Sequence, residues 1–268
     1  MPMTINTNVV SLNAQRNLTM SQSSLATSMQ RLSSGLRVNS AKDDAAGLAI
    51  ATRQDAQIRG INVAIRNAND GVSLAQTAEG ALSTMTDALQ RMRELAVQAQ
   101  NGSNGTSDRA NLDTEFQALA SEVTRIAAQT KFNGTAIVGA SAGAQVFQVG
   151  ANGGDTLTIT TTQVTTVGGG ITTAALASTA LSDIDAKLDV INTSRASYGA
   201  AMSRFSMAIQ NLQIASENQS AARGRIMDAD FAAETSNMSR AQILQQAGTA
   251  MVAQANQLPQ QVLQLLRG

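Results

Sequence analysis

Asp43-Asp44 and Asp228-Ala229-Asp230 each set two carboxylates close together in the sequence, near enough to be considered for chemistry. Paired carboxylates can work as an acid–base couple or as part of a metal site. Both tasks need further partners, and the 268 residues include no His and no Cys. That inventory removes thiolate catalysis, Ser-His-Asp triads and nearly every zinc hydrolase, and with them any disulfide framework. A structural use fits better. Ser40 precedes Asp43 by three, the spacing of a capping box, and carboxylates suit the positive end of a helix dipole. Both acidic pairs therefore read as helix starts, with no catalytic residue, metal ligand or cofactor assigned. The eleven Met, mostly at stripe positions, read as core filler.

The overall balance narrows the class further. Nineteen basic and nineteen acidic side chains cancel, which argues against nucleic acid as a partner. Five Phe, one Tyr and no Trp leave little for aromatic stacking. No apolar run approaches the ~18 residues of a membrane span, so no membrane is expected as a partner. No cleavable secretory leader is visible at the start.

The elements that remain are long. Pro occurs only at positions 2 and 259, so nothing between them forces a helix to stop. Leu18, Leu25, Met29, Leu32 and Leu36 trace one narrow apolar stripe near the N-terminus. A second stripe runs from Ile58 through Ala68, Ala75, Leu82, Leu89 and Met92 to Ala96, predicting a helix over roughly 41–99. Asn101-Gly102-Ser103-Asn104-Gly105 is a turn, and Leu112, Phe116, Leu119, Val123 and Ile126 mark a shorter antiparallel helix beyond it. Between Lys131 and Asp183 the only charge is Asp155, and the alternation at 146–150 and 157–160 predicts strands in hairpins. The helical period returns from Ile184 to Leu212, with Arg195 occupying one slot, and Leu244, Met251, Leu258, Val262 and Leu265 form a last stripe. The fold class expected is mainly α: coiled-coil arms from both chain ends closing on each other, with a small β-hairpin region in the middle.

The two ends share an unusual composition. Residues 241–266 carry no charge and residues 1–30 carry only Arg16. A helix alone in water normally has a charged outer face. Here that face is Ala, Gln, Asn, Ser and Thr, which suits burial against copies of the same chain. The two stripes, Leu18–Leu36 and Leu244–Leu265, are accordingly expected to form a self-assembly seam, and the ends to order on association.

Both ends also carry long recognisable runs. Leu32-Ser33-Ser34-Gly35-Leu36-Arg37-Val38-Asn39-Ser40-Ala41-Lys42-Asp43-Asp44-Ala45-Ala46-Gly47, Leu89-Gln90-Arg91-Met92-Arg93-Glu94-Leu95-Ala96 and Gln129-Thr130-Lys131-Phe132-Asn133-Gly134 closely resemble the N-terminal region of bacterial flagellins. Asp228-Ala229-Asp230-Phe231, Ala241-Gln242-Ile243-Leu244-Gln245-Gln246-Ala247-Gly248 and Gln254-Ala255-Asn256-Gln257-Leu258-Pro259 resemble the C-terminal region. The resemblance implies a secreted, extracellular homopolymer, a helical filament for swimming, exported by the flagellar type III apparatus. It also implies export-chaperone, filament-cap and junction proteins as partners. Its layout divides the chain into an inner coiled coil (1–40 with 226–268), a helical bundle (41–130 with 181–225) and a reduced variable tip (131–180). Flagellins of the type recognised by vertebrate Toll-like receptor 5 carry a patch whose matching residues here are Gln90, Arg91, Leu95 and Glu115. A hook–filament junction protein is the alternative within the class, and a soluble coiled-coil adaptor or secreted effector the alternative outside it.

Overall fold

The computed structural model describes residues 7–139, 142–161, 163–165 and 167–265, with side chains as far as residue 257. Among the described residues there are five helices: α1 (Val9–Ser34), α2 (Ala45–Ala99), α3 (Thr106–Gln129), α4 (Ala174–Met227) and α5 (Phe231–Leu265). Four short strands lie between α3 and α4: β1 (Lys131–Phe132), β2 (Thr135–Ala136), β3 (Ala144–Gln148) and β4 (Thr156–Thr160). The residues group into two compact units, one of 1–56 with 218–268 and one of 57–217.

The second unit contains the main core. The stripe predicted along α2 is buried at Ala68, Ala75, Ala78, Leu82, Met85, Leu89, Met92 and Ala96. It meets Phe116 and Val123 of α3 and Ile184, Ile191, Tyr198 and Phe205 of α4. Arg195, the charged interruption in the α4 stripe, donates through Nε to Oε1 of Glu79 at 2.8 Å, and Arg93 reaches Asp185 at 2.7 Å. These pairs run in opposite order along α2 and α4, so the two helices are antiparallel. Arg109 finishes α2 by donating to the carbonyls of Ala99 (2.8 Å) and Asn101 (3.1 Å), which gives its unpaired end a partner.

Both strand pairs are antiparallel hairpins. Between β1 and β2, Asn133 (φ +48°) and Gly134 (φ +80°) supply the two left-handed residues of a tight hairpin turn. In the β3–β4 pair, Phe147 turns inward and meets the Phe205 ring edge-on at 5.6 Å, while Ile159 opposite Gln145 is buried. Gly71 makes room for that contact. A Cβ there would lie 2.8 Å from the Phe205 ring, whereas one at Gly80 would meet nothing within 4 Å.

In the first unit, α1 opens with Asn8 accepting from the Ser11 amide and closes at Gly35, whose φ of +71° is the left-handed helix stop. The start of α2 differs from the sequence reading. Ser40 is not its N-cap. Asp43 turns back and accepts from the Ser40 amide (2.9 Å), the Ser40 hydroxyl (3.0 Å) and the Asn39 amide (3.1 Å). Asp44 caps instead, its Oδ1 accepting from the Gly47 amide at 2.8 Å. The Ser-x-x-Asp spacing closes a turn one step before the helix. Asp230 caps α5 in the expected way, accepting from the amides of Ala232 and Ala233.

Gly71→Ala should cost about 1–3 kcal/mol by forcing the Phe205 ring aside. Gly80→Ala should instead gain up to about 1 kcal/mol from helix propensity. Urea unfolding of the two variants checks the opposite signs. Asp43 supplies a pH test. The Ser40 hydroxyl, then the Ser40 and Asn39 amides, hold its carboxyl below the usual carboxylate range. A depressed folded-state value means that the turn is fully stabilised above the ordinary carboxylate pKa and loosens as pH falls through the lowered one. Amide exchange at Asn39 and Ser40 should accelerate there, and Asp43→Asn should abolish the pH step.

Candidate functional site

The α1–α5 pairing is antiparallel and joins the two ends of the chain. Asn8 Nδ2 donates to the Ala255 carbonyl (2.6 Å) and Ser11 Oγ to Asn256 Oδ1 (2.7 Å) at one end. At the other, Arg31 stands 3.9 Å from Glu234, whose side chain is largely buried. Along α1 the covered positions are Ser11, Ala14, Leu18, Ser21, Leu25, Ser28 and Leu32, at alternating steps of three and four. Leu18, Leu25, Leu32 and Leu36 of the predicted stripe are thus half-buried, but Met29 is 55% exposed.

On α5 the line facing α1 is not the one that the bulky residues suggested. It is Glu234, Met238, Ala241, Gln245, Gly248, Val252 and Ala255. Leu244 and Met251 lie off that line, 51% and 57% exposed. The side chains of Leu258, Val262 and Leu265 fall outside the described residues. The physical reason is size: Ala241, Gly248 and Ala255 let the helices approach, and Leu18 fills the space over Gly248, where a Cβ would lie 3.1 Å from Leu18 Cδ1. Step-seven spacing of large apolar residues could not reveal a line built from small ones.

The consequence is an apolar outer surface. Val9, Val10, Leu12, Met20 and Met29 of α1 and Phe231, Ile243, Leu244 and Met251 of α5 are all more than half exposed. Scattered single residues of this kind are ordinary, but two helices with only Arg16, Arg31, Glu234 and Arg240 as charges and these residues exposed together are suited to contact with another protein surface.

A second candidate surface lies on α2 and α3. Gln90, Arg91 and Glu115 are exposed. Arg91 bridges two carboxylates, Glu94 Oε2 at 2.9 Å within its own helix and Glu115 Oε1 at 2.9 Å on α3. Those two partners, Glu94 first, raise the pKa of the guanidinium further above neutrality. Leu95 is not on this surface. It is 1% exposed and belongs to the core with Met92, Ala96 and Ala99, because its place in the three–four stripe turns it inward. The sequence reading missed Glu94, although its i,i+3 spacing from Arg91 is the signal of a same-face pair.

Comparison with known proteins adds the family. A family model described as "Bacterial flagellin N-terminal helical region" matches residues 5–142. A second, "Bacterial flagellin C-terminal helical region", matches 181–266. A flagellin from Halalkalibacterium halodurans is 45% identical over 272 residues, covering 99% of this chain and 100% of that protein. A flagellin from Xenorhabdus nematophila is 42% identical over 309 residues, covering 98% and 99%. Among solved structures, a Bacillus cereus flagellin aligns with a TM-score of 0.51 and 32% identity over 55% of this chain and 88% of that one. With both helical regions matched and relatives aligned over nearly their whole length, the chain belongs to the bacterial flagellin family, as a structural subunit of the flagellar filament and not an enzyme.

Proposed function

We propose that this subunit polymerises through the outer faces of α1 and α5, with the seam residues Leu18, Leu25, Leu32 and Leu36 holding the pair together. Met29, Leu244 and Met251, and Leu258, Val262 and Leu265 further along, meet neighbouring copies. The observation that carries this reading is the combination of bulky apolar side chains on the outside and no charge between residues 241 and 266. In water such a pair has little charge on its outer face to keep it solvated, and in a filament that face is covered by neighbouring copies. In this proposal 1–40 with 226–268 form an inner coiled coil, and 41–130 with 181–225 a surrounding bundle capped by 131–180; the pairing of α1 with α5 supports the first part. The subunit reaches the outside of the cell through the type III export route, handled by an export chaperone and added beneath a filament cap after the junction proteins.

As a free subunit it presents Gln90, Arg91 and Glu115 to Toll-like receptor 5. Arg91 supports this reading because it is a solvent-facing guanidinium held in place by two carboxylates, the kind of pre-organised group that serves as an interface hot spot. Leu95 contributes from beneath by fixing the backbone of α2.

Seeded growth tests the assembly surface. Monomer mixed with sonicated filament fragments should elongate them without limit, and deletion of 241–268 or the triple change Ile243→Ser, Leu244→Ser, Met251→Ser should stop growth while the 57–217 unit keeps its melting transition. A compact soluble oligomer at every concentration would point to the adaptor reading instead. For the receptor, Arg91→Ala with Glu115→Ala should raise the half-maximal monomer dose in receptor-expressing reporter cells about ten- to hundredfold. Leu95→Ala should act through stability, costing about 2–5 kcal/mol. Wild-type monomer without any response would end the receptor proposal.

A further inference from the structure

The line along which α1 and α5 meet does not by itself say where along it they should stop. Leu18 lies over Gly248. Counting outward from that pair in antiparallel steps sets Leu25 opposite Ala241, Ser21 opposite Gln245 and Ser28 opposite Met238. Each layer joins a large residue to a small or slender one. Sliding α5 by seven residues keeps that rule: Leu25 would face Gly248, Leu32 would face Ala241 and Ser28 would face Gln245. A pattern that survives a heptad slip specifies register weakly, as flat strands without a distinctive face do. The bonds at the far end add little, since one of them uses a backbone carbonyl that any residue offers. The Arg31–Glu234 pair is long, at 3.9 Å.

The strongest register information sits just beyond the pair. The segment after α1 and the segment before α5 are tied together by backbone and by one side chain. The Arg37 amide donates to the Met227 carbonyl (2.6 Å) and the Ala229 amide to the Gly35 carbonyl (2.9 Å), around an antiparallel bridge of Leu36 with Asp228. Arg37 Nη2 donates to the carbonyls of Ile226 (2.7 Å) and Arg225 (3.3 Å), the last ones of α4. Val38, 3% exposed, packs with Ala51 and Met227 beneath. This clasp fixes the end of α1 level with the start of α5, since only Asp228, Ala229 and Asp230 separate α4 from α5.

We propose that the 35–38/225–229 clasp, with Arg37 as its positioning residue, sets the register in which α1 and α5 pair, and so decides which outer apolar residues a neighbouring copy meets. Arg37 suits the role because its guanidinium is permanently charged and grips two carbonyls that the end of α4 leaves free. A slipped pair would have to give up all of these bonds together, and the seam would not object.

The absence of Cys makes register directly measurable. Leu18→Cys with Gly248→Cys puts the two Cβ atoms about 3.7 Å apart, inside the range a disulfide needs. Leu25→Cys with Gly248→Cys reports the heptad slip. Each pair is oxidised in filaments grown from wild-type seeds, and in the free chain for any variant that does not enter filaments. With Arg37 present, the native disulfide should exceed the slipped one. Arg37→Ala should lower that ratio about tenfold or more, as expected when charge-assisted hydrogen bonds are lost, and Arg37→Lys should restore part of it. The melting transition of the 57–217 unit, followed alongside, separates a change of register from general unfolding. An unchanged ratio in Arg37→Ala overturns the proposal, and so does a slipped pair that forms equally well with Arg37 in place. Neither result bears on whether the chain polymerises.

Discussion

The structure depends on how the two ends of the chain meet. α1 and α5 are far apart in sequence and pair antiparallel, Ser and Leu of α1 against a line of α5 in which Ala241, Gly248 and Ala255 are small. Small residues on that line bring the helix axes close, and they also leave the line little apolar area to bury. The large side chains that would normally stabilise a helix pair, Ile243, Leu244 and Met251 among them, point elsewhere. Hydrophobic stabilisation scales with apolar area removed from water, so most of what these helices can gain is not available inside one copy. On the proposed assembly, neighbouring copies complete the pair. That is the physical meaning of a filament subunit whose termini carry almost no charge.

The remaining part of the chain follows the opposite rule. The unit of 57–217 buries its own stripe of Leu and Met on α2 against aromatic and branched residues of α3 and α4. Its surface is laced with ion pairs between helices, Arg93–Asp185, Arg91–Glu115 and Arg195–Glu79. Exposed pairs of this kind contribute little to stability, because water screens them. Their value lies in fixing side-chain positions on the outer face, as with Arg91 between Glu94 and Glu115. One unit is thus built to be stable alone, and the other to be stable in company.

The difference explains what could be read in advance. Where large apolar residues recur at three–four spacing, as in α2, α3 and α4, the buried face was legible, and the alternation at 146–150 and 157–160 located β3 and β4 to within two residues. The seam of α5 was not, because Glu234, Gln245 and Gly248 break its hydrophobic signal, and bulky Leu244 and Met251, which suggested a different line, are exposed. Leu95 was assigned to the receptor patch by resemblance and left out of the Leu89–Met92–Ala96 stripe, yet it is buried beside that stripe. The α2 start was misplaced by four residues because Ser40-x-x-Asp43 and Asp44-x-x-Gly47 both offer a cap, and spacing alone does not rank them. The β1–β2 hairpin went unread although Asn133-Gly134 is a strong turn signal, since strands of two residues show no alternation.

The central claim is that α1 and α5 gain their stability from other copies, while α2, α3 and α4 do not. Amide hydrogen exchange, compared between free subunit and filament, tests it most directly. The account predicts fast exchange across 9–34 and 231–257 in the free subunit, strong protection of the same residues in the filament, and slow exchange across 74–99 in both. Equal, strong protection of α1 and α5 in the free subunit would contradict it.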